Sequence, residues 1–207
     1  YKSIVESIIH AGAKNRTQVV IKWIHSEDIN DKNVSETLAN LSGVIVAPGF
    51  GERGIEGKII AIKYVRENNI PFLGICLGMQ CAVVEFARNV LGYSDAHSTE
   101  INPKTPSAVI DMMEEQKTIE NMGGTMRLGS YPCEIKEGSK VHEIYNCKTI
   151  TERHRHRFEF NNSFIDEFNN NGMTTSGINP DNNLVEIIEL SDHPWFIGVQ
   201  FHPEYKS

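Results

Sequence analysis

The sequence has no long apolar run and no excess of positive charge. None of its hydrophobic stretches approaches the ~20 residues that a membrane-spanning helix requires, and its formal net charge is −7. A chain with this charge has no general electrostatic attraction to nucleic acid or to anionic lipid. We therefore expect neither a nucleic-acid partner nor a membrane partner.

Cysteine is scarce, and the chain has only four: Cys76, Cys81, Cys133 and Cys147. They form no C-x-x-C pair and no metal-ligand pattern with histidine, so we expect no metal site. A reducing cytoplasm is the compartment that this usage indicates. A glycine-rich segment, residues 49–54, lacks the Gly-Lys-Ser/Thr ending of a P-loop, so nucleotide hydrolysis is not expected there.

The composition suits one α/β domain. The chain has 207 residues, of which 40% are hydrophobic, which is enough to bury one core. In the first half, apolar runs typical of buried strands alternate with helical patterns. This alternation predicts a mostly parallel, doubly wound sheet flanked by helices. We predict a single domain over residues 1–207, and we expect it to be a fragment because it starts at Tyr1, within a helical pattern.

The individual elements follow from periodicity and composition. Helices are predicted over Tyr1–Ala11, Asn33–Leu41, Ile55–Asn68 and Met79–Val90. Strands are predicted over Gln18–Ile24, Gly43–Ala47 and Ile70–Ile75, followed by strands of more antiparallel character over Arg127–Ile135, Val141–Tyr145 and Thr149–Phe160. Two further strands are predicted over Leu184–Leu190 and Trp195–Gln200. Loop or lid structure is predicted over Asp95–Lys104 and Met112–Lys117.

The stretch Leu73–Gln80, LGICLGMQ, predicts a nucleophile at a strand-to-helix turn. Cys76 falls where the strand gives way to the helix, and Gly74 and Gly78 flank it in the G-x-nucleophile-x-G spacing of an elbow. Such a turn leaves no room for side chains beside the nucleophile. A lone cysteine is more often a buried structural residue, but the two glycines favour a nucleophile here.

His202 and Glu204 are the predicted partners of Cys76. An unperturbed cysteine has a pKa of about 8.5 and is only about 3% thiolate at pH 7. Because a helix dipole lowers that pKa by less than one unit, we expect an imidazolium to supply the remaining shift. His202 ends a predicted strand as Cys76 does, and Glu204 follows two residues later, where it can orient the ring. Because the triplet H-P-E is short enough to occur by chance, it supports a catalytic role for His202 only in combination with the elbow at Cys76.

Two backbone N–H groups are candidates for holding a developing oxyanion. The first is that of Leu77, directly after the nucleophile. The second belongs to Gly49, in the glycine-rich segment that follows a neighbouring predicted strand. Together with Cys76, these donors would make an acyl-transfer site.

The run Arg153–Arg157, RHRHR, is unusual in an acidic chain. On a strand, alternation would place the three arginines on one face and the two histidines on the other. A solvated edge strand explains such a run about as well as a binding site does. Arginine near the elbow favours a site for an anionic group, because its guanidinium offers a bidentate fork.

At this point the motifs resemble those of a known family. LGICLGMQ and QFHPE (Gln200–Glu204) resemble the class I, triad-type glutamine amidotransferases. GGTMRLG (Gly123–Gly129) and ERHRHRFEFN (Glu152–Asn161), with PGFGERG (Pro48–Gly54), resemble the glutaminase domains of the CTP synthase family. The resemblance extends from Tyr1 to Ser207.

The resemblance implies a role for each matching position. Cys76 matches a nucleophile that forms a glutamyl thioester, His202 its general acid/base, and Glu204 the residue that orients the histidine. Gly49 and Leu77 match positions that hold the oxyanion and the substrate backbone. The other positions that match glutamine-binding residues are Gly78, Met79, Gln80, Glu100 and Arg157.

The sequence departs from the family pattern in two places. Many relatives have P-G-G-F-G where this chain has Pro48-Gly49-Phe50-Gly51, one glycine fewer, which leaves the second oxyanion donor open. The amino-terminal synthetase domain, which binds UTP and ATP in the family, and the first strand of the amidotransferase fold are not in this sequence. The resemblance therefore implies that the chain at most hydrolyses L-glutamine and supplies ammonia to that synthetase domain.

For a whole enzyme, the resemblance implies ATP, Mg²⁺ and the activator GTP, none of them held by this domain, and assembly into a homo-oligomer, a tetramer. Arg53, in the glycine-rich segment, is a candidate for coupling the glutaminase step to that activation. Two alternatives remain at this point. One is a thiol hydrolase of γ-glutamyl conjugates, and the other is a non-catalytic regulatory module on the same fold.

Overall fold

The computed structural model describes residues 1–112 and 126–206. The helices are α1 (Lys2–Lys14), α2 (Val34–Thr37), α3 (Ile55–Glu67), α4 (Leu77–Asn89), α5 (Lys140–Tyr145) and α6 (Ile165–Asn170). The strands are β1 (Val44–Val46), β2 (Phe72–Ile75), β3 (His97–Ser98), β4 (Ala108–Met112), β5 (Arg127–Ile135), β6 (Thr149–His156), β7 (Phe158–Phe160), β8 (Met173–Ile178), β9 (Val185–Leu190) and β10 (Phe196–Val199).

A mixed sheet organises the domain, with strand order β1-β2-β10-β9-β8-β5-β6. β2 lies between β1 and β10 and is parallel to both. The remaining neighbours, from β10 to β6, are antiparallel. A smaller sheet has the order β3-β4-β7. Because Ile75 is paired with Val199 at the carboxyl ends of β2 and β10, the residues that follow these two strands are neighbours in space.

The predicted class is confirmed: an α/β domain in which helices flank the sheet and antiparallel strands lie in the second half. Antiparallel pairings are more numerous than the predicted, mostly parallel sheet implies. The reason lies in the connections, since parallel neighbours need long crossovers whereas antiparallel neighbours can be joined by short turns. β8 and β9 are an example, because they are separated only by residues 179–184.

The core lies on both faces of the large sheet. On one face, Ile62 of α3 and Val83 of α4 pack in one buried cluster with Phe72 and Phe196, whose rings are stacked with centroids 4.3 Å apart. On the other, Ile4 of α1 belongs to a second cluster that includes Cys76. The elbow therefore sits between two packed layers, which fix its position.

The strand prediction over Gln18–Ile24 is wrong. The segment has no strand assignment, and among the described residues no strand pairs with it. Val20 is 85% exposed and Trp23 is 62% exposed. β-Branched composition favours a pleated, half-buried surface, but without a neighbouring ladder it does not make a strand.

The strand prediction over Val141–Tyr145 is also wrong, because α5 occupies these residues. Ser139 caps the helix by accepting a hydrogen bond from the His142 N–H at 3.1 Å. Glu189 of β9 accepts from the N–H groups of Lys140 and Val141 at 2.9 and 3.1 Å. Local and tertiary capping of the first turn thus outweighs the strand propensity of the sequence.

Other differences concern element ends and short elements. Gly12 lies inside α1 rather than after it, and Thr149–Phe160 is divided at Arg157 into β6 and β7. The sequence prediction missed β3, β4, β8 and α6. Met112 ends β4, and the rest of the predicted loop Met112–Lys117 lies outside the described residues. Among those described, no helix combines the length and apolar character needed to cross a membrane.

One buried ion pair joins the two helices beside the elbow. Arg66 of α3 donates to Glu85 of α4 through Nε to Oε2 at 2.9 Å and through Nη2 to Oε1 at 2.8 Å. The Glu85 side chain is 0% exposed and that of Arg66 is 17% exposed. Burial raises the pKa of Glu85 despite this arginine. The carboxylate therefore depends on Arg66 to remain charged in the helix interface.

We expect Arg66→Met to reduce the free energy of unfolding by about 3 kcal/mol at pH 7, because it leaves Glu85 buried without its charged partner. The unpaired carboxyl binds a proton more readily in the folded state than in the unfolded chain, so the loss should shrink at pH 4. Chemical denaturation at both pH values measures the effect.

Lys148→Met is the matched control. Lys148 pairs with Glu137 at 3.0 Å on the surface, where the two side chains are 75% and 73% exposed. Its loss should change the free energy of unfolding much less than Arg66→Met does, because solvent screens an exposed pair. Equal effects of the two variants would show that the buried pair does not hold α3 against α4.

Candidate functional site

Cys76 sits alone between β2 and α4. Its backbone has φ 53° and ψ −105°, a region that non-glycine residues rarely occupy. Its N–H donates to the Val199 carbonyl at 2.7 Å, and its carbonyl accepts from the Gln80 N–H at 3.1 Å. The bonds on both sides hold the strained turn, so the structure has the tight strand-to-helix elbow that the glycine spacing predicts.

The two flanking glycines are needed because backbone passes directly beside them. A Cβ on Gly74 would lie 2.7 Å from the carbonyl carbon and oxygen of Gly78. A Cβ on Gly78 would overlap the Val46 carbonyl oxygen of β1. The elbow is therefore wedged against β1 as well as against its own strand.

His202 and Glu204 follow β10, next to the elbow. The His202 N–H donates to the Arg153 carbonyl at 2.8 Å, and the ring stacks on Tyr205 with centroids 5.3 Å apart. His202 Nδ1 lies 2.8 Å from Glu204 Oε1. Because an ionised carboxylate can only accept, Nδ1 carries the proton and Nε2 is left as a base. Nε2 is buried and has no hydrogen-bond partner among the described residues.

A cavity of about 280 Å³ brings the predicted catalytic residues together. Cys76, His202 and Glu204 all line it. Gly49 and Phe50 line it too, from the glycine-rich segment after β1. A cysteine, a histidine and the glycine-rich segment therefore line the same cavity.

A second cavity, of about 50 Å³, adjoins the other side of Cys76. Gly49, Gln80, Glu100 and Arg157 line it together with the cysteine. Glu100 accepts a hydrogen bond from the Gly51 N–H at 3.4 Å. A carboxylate and a guanidinium on one small cavity would suit a ligand that has an ammonium and a carboxylate.

Three predicted site residues lie outside the lining of both cavities. Leu77 is 4% exposed, but its backbone N–H lowers the pKa of the Cys76 thiol. Gly78 faces Val46, and Met79 is 0% exposed in the core. Any contact of these residues with a ligand would therefore come from backbone atoms.

Arg53, the residue predicted to couple activation, also lies outside both cavities. Its side chain is 82% exposed and pairs with Glu27 at 2.6 Å. No group of three or more His, Cys, Asp or Glu residues within 1–112 and 126–206 could hold a metal ion.

The Cys76 thiol is not activated in the way the sequence analysis expects. Burial raises its pKa to about 12, and the negative charges of Glu159, Glu204 and Glu100 add to this shift. The Leu77 N–H lowers the pKa but does not offset the burial. Burial and the nearby carboxylates therefore favour the neutral thiol over the thiolate.

The basic run alternates as predicted until its last residue. Arg153 and Arg155 are exposed, whereas His154 and His156 are 3% and 2% exposed. Arg157 breaks the pattern because it lies in the bend between β6 and β7, half-buried, and lines the smaller cavity. The end of the strand, rather than alternation, brings this arginine to the site.

Sequence reasoning missed a buried charge cluster behind the smaller cavity. Arg127 of β5 lies between two carboxylates, with Nη1 2.7 Å from Glu186 Oε1 and 3.3 Å from Glu159 Oε1. His154 Nδ1 is 2.8 Å from His156 Nε2, and it is 3.6 Å from Glu186 Oε2. The inward face of the alternating run was the available signal, but its partners come from distant strands.

Burial sets the protonation of this cluster. It lowers the pKa of His154 to about 2 and that of His156 to about 3, and Arg127 acts in the same direction. Burial also raises the pKa of Glu186 to about 7 and that of Glu159 well above its usual range, against the opposing charge of Arg127. Both histidines are therefore neutral at pH 7.

Sequence reasoning also missed Gln200. This residue follows β10 and is 0% exposed. Its side-chain nitrogen Nε2 lies 3.6 Å from Cys76 Sγ. Its place at the start of the QFHPE motif was the only signal in the sequence.

Comparison with known proteins agrees with this geometry. The sequence profile of the family described as Glutamine amidotransferase class-I matches residues 1–207. A CTP synthase of Flavobacterium johnsoniae is 64% identical over 207 residues, which is 100% of this chain and 38% of that protein. A CTP synthase of Cytophaga hutchinsonii is 61% identical over the same share of each chain.

Among solved structures, the Trypanosoma brucei CTPS glutaminase domain with bound acivicin matches at a TM-score of 0.92 and 33% identity. The match covers 99% of this chain and 80% of that one. The chain therefore belongs to the class I glutamine amidotransferases. Within that class, it belongs to the glutaminase domains of the CTP synthase family. It spans 38% of the length of these two curated relatives.

Because both histidines are neutral in the folded state, the free energy of unfolding should depend on pH. The pKa of His154 is lower in the folded than in the unfolded state, so unfolding takes up protons below pH 6.5 and the free energy of unfolding falls as the pH is lowered. We expect His154→Gln to reduce this slope between pH 6.5 and 5 by up to about 1.4 kcal/mol per pH unit. Denaturant titrations at several pH values measure it.

His10→Gln, an exposed substitution on α1, is the control for this experiment. Glu186 acts in the opposite direction, because its raised pKa contributes stability below pH 4.5 that is lost as the pH rises through 7. If the pH slope of the free energy of unfolding is the same in His154→Gln as in the wild type, His154 is charged in the folded cluster and the interpretation fails.

Proposed function

We propose that this chain hydrolyses L-glutamine to glutamate and ammonia through a glutamyl thioester on Cys76. The observation that carries the proposal is the position of Cys76, which lines both cavities. One cavity contains the His202–Glu204 pair, and the other contains Glu100 and Arg157. A nucleophile between a base and an amino-acid-shaped pair of charges fits glutamine hydrolysis.

The smaller cavity would bind the amino-acid end of glutamine. Glu100 would hold the α-ammonium, and Arg157 would hold the α-carboxylate through its guanidinium. Gln80 and Gly49 line the same cavity and would contact the substrate between these ends. The side-chain amide would then extend towards Cys76. Backbone atoms of Leu77, Gly78 and Met79 would complete this binding site.

In the first step, the Cys76 sulfur attacks the amide carbon while its proton passes to His202 Nε2. A base is needed for this step because burial raises the thiol pKa to about 12. Glu204, 2.8 Å from Nδ1, stabilises the imidazolium that forms. The N–H groups of Leu77 and Gly49 would donate to the oxyanion of the tetrahedral intermediate.

The second half of the reaction returns the site to its starting state. His202 gives its proton to the leaving nitrogen, and ammonia departs as the C–N bond breaks and the thioester remains. A water molecule then attacks the thioester carbon and gives a proton to His202 Nε2. Release of glutamate breaks the C–S bond, and the proton returns to Cys76.

For the whole protein, we propose that the ammonia serves an amino-terminal synthetase domain of the same polypeptide. That domain would use ATP and Mg²⁺ to aminate UTP to CTP, with GTP as activator and Arg53 as a candidate for the coupling. The full-length protein would be a cytoplasmic homo-oligomer, a tetramer. Residues 1–207 would form its single glutaminase domain. Support comes from the identity to CTP synthases over the whole of this chain.

We expect acivicin, the ligand of the Trypanosoma brucei relative, to label Cys76 covalently. Labelling needs only the nucleophile and the binding cavity, so it does not depend on a synthetase domain. Peptide mass spectrometry should find one adduct, on Cys76. His202→Ala should slow the labelling roughly a hundredfold or more, since no base then removes the thiol proton.

Cys147→Ser is the matched control for this labelling, because Cys147 is exposed and lies outside both cavities. It should be labelled at Cys76 at the unchanged rate. A folded protein whose Cys76 stays unmodified would contradict the proposal. Turnover of γ-glutamyl conjugates in preference to glutamine would instead support the thiol-hydrolase alternative.

Arg157→Met tests the binding of the α-carboxylate. We expect the acivicin concentration for half-maximal labelling rate to rise by roughly ten- to a hundredfold, because a charge-assisted bidentate contact is lost. The maximal labelling rate should change much less, since the nucleophile and base remain. A titration of labelling rate against acivicin concentration separates the two effects.

Arg153→Met is the control from the same basic run. Arg153 is exposed on β6 and does not line the smaller cavity. In this variant, we expect the acivicin concentration for half-maximal labelling rate to stay within about twofold of the wild-type value, because no contact to the ligand is removed. Equal effects of the two arginine variants would mean that the run acts through its general positive charge.

A further inference from the structure

Two buried amide side chains connect the Cys76 sulfur to a backbone carbonyl. Gln200 Nε2 lies 3.6 Å from Cys76 Sγ, and Gln80 Nε2 lies 3.2 Å from Gln200 Oε1. The same Gln80 nitrogen is 2.9 Å from the carbonyl oxygen of Phe158, at the start of β7. Gln200 is 0% exposed and Gln80 is 5% exposed.

The Phe158 carbonyl fixes the direction of this chain of hydrogen bonds. A carbonyl oxygen can only accept, so the Gln80 amide must turn its nitrogen towards Phe158. That same nitrogen faces Gln200, so Gln200 must present its oxygen to Gln80. Its own nitrogen is then turned towards Cys76. Gln200 therefore meets the sulfur as a donor and not as an acceptor.

We propose that Gln200 is a catalytic residue of this site, where its side-chain N–H stabilises the negative charge that forms on the Cys76 sulfur. Gln80 is a positioning residue that keeps this donor in the correct direction. The inference rests on the proposed function, because it assigns the two residues to steps in which the thiol loses and regains its proton.

The surroundings of Cys76 explain why a second donor matters. The sulfur is buried, and three carboxylates, Glu159, Glu204 and Glu100, oppose a negative charge on it. The Leu77 N–H lowers the pKa of the thiol, but it is also the proposed donor to the oxyanion. Gln200 can keep its hydrogen bond to the sulfur throughout, because its backbone N–H is held by the Glu186 carbonyl at 2.8 Å. Donors to the charged form favour that form.

The test measures the Cys76 thiol directly. The rate at which iodoacetamide modifies Cys76 is followed from pH 6 to 10 by mass spectrometry of the peptide that contains it. Gln200→Met removes the donor and keeps a side chain of similar length. We expect it to slow the modification roughly tenfold at each pH in this range, because the thiolate loses a charge-assisted hydrogen bond. Cys147, which is exposed, is the internal reference and should react unchanged.

A double-mutant cycle tests the part assigned to Gln80. Gln80→Met should slow the modification of Cys76 in the wild-type background, because Gln200 can then rotate its oxygen towards the sulfur. In the Gln200→Met background the same substitution should have no further effect, since no amide remains to be oriented. Additive effects of the two substitutions would overturn the positioning role.

Unchanged modification rates of Cys76 in folded Gln200→Met would overturn the catalytic role. If that variant does not fold, Gln200→Asn withdraws the amide from the sulfur while keeping it polar, and the same rates decide. The readout is independent of glutamine. Slower modification together with absent acivicin labelling would therefore leave the donor assignment standing while the proposed function fails. Unchanged modification together with acivicin labelling of Cys76 would leave the proposed function standing while the donor assignment fails.

Discussion

The site depends on a backbone contact that leaves no room for a side chain. Gly74 and Gly78 meet across the turn, and Gly78 also touches the Val46 carbonyl of β1. This contact forces Cys76 to φ 53° and directs the thiol between the two cavities. Because the turn is enclosed by packed strands and a helix, the thiol is also buried, and its burial raises the pKa. The geometry that positions the nucleophile thus makes it harder to ionise.

The parallel and the antiparallel strands of the large sheet position different residues of this site. The parallel half brings Cys76 and His202 together, because β2 and β10 are neighbours and end at the same level. The antiparallel half brings a positive charge to the site, because the bend after β6 places Arg157 on the smaller cavity beside Cys76. Behind that bend, Arg127 and its carboxylates occupy space that an apolar core would otherwise fill. The basic run thus places Arg157 on the smaller cavity and His154 and His156 in the buried cluster.

The accuracy of the sequence predictions follows the range of the interactions involved. The elbow at Cys76 was predictable because its two glycines act within five residues. The placement of Gln200 and Arg127 was not, since it depends on the register of strands distant in sequence. The element Val141–Tyr145 was misjudged because Glu189 of β9 supplies a cap from outside the segment. Glu100 was identified through the resemblance alone, whereas the run Arg153–Arg157 stood out by its composition and the resemblance singled out Arg157 within it.

A neutral, buried thiol changes how the reactivity of this site should be understood. The thiolate is the form that is oxidised and alkylated, so a cysteine that stays protonated is less exposed to both reactions. Under the proposed mechanism, its ionisation is useful only when a substrate carbon is present to take the electron pair and His202 can take the proton. Donors that touch the sulfur, and the base 2.8 Å from Glu204, then matter more in the transition state than in the resting state. Such differential stabilisation accelerates a reaction, whereas a permanently ionised thiol would place the charge in the ground state.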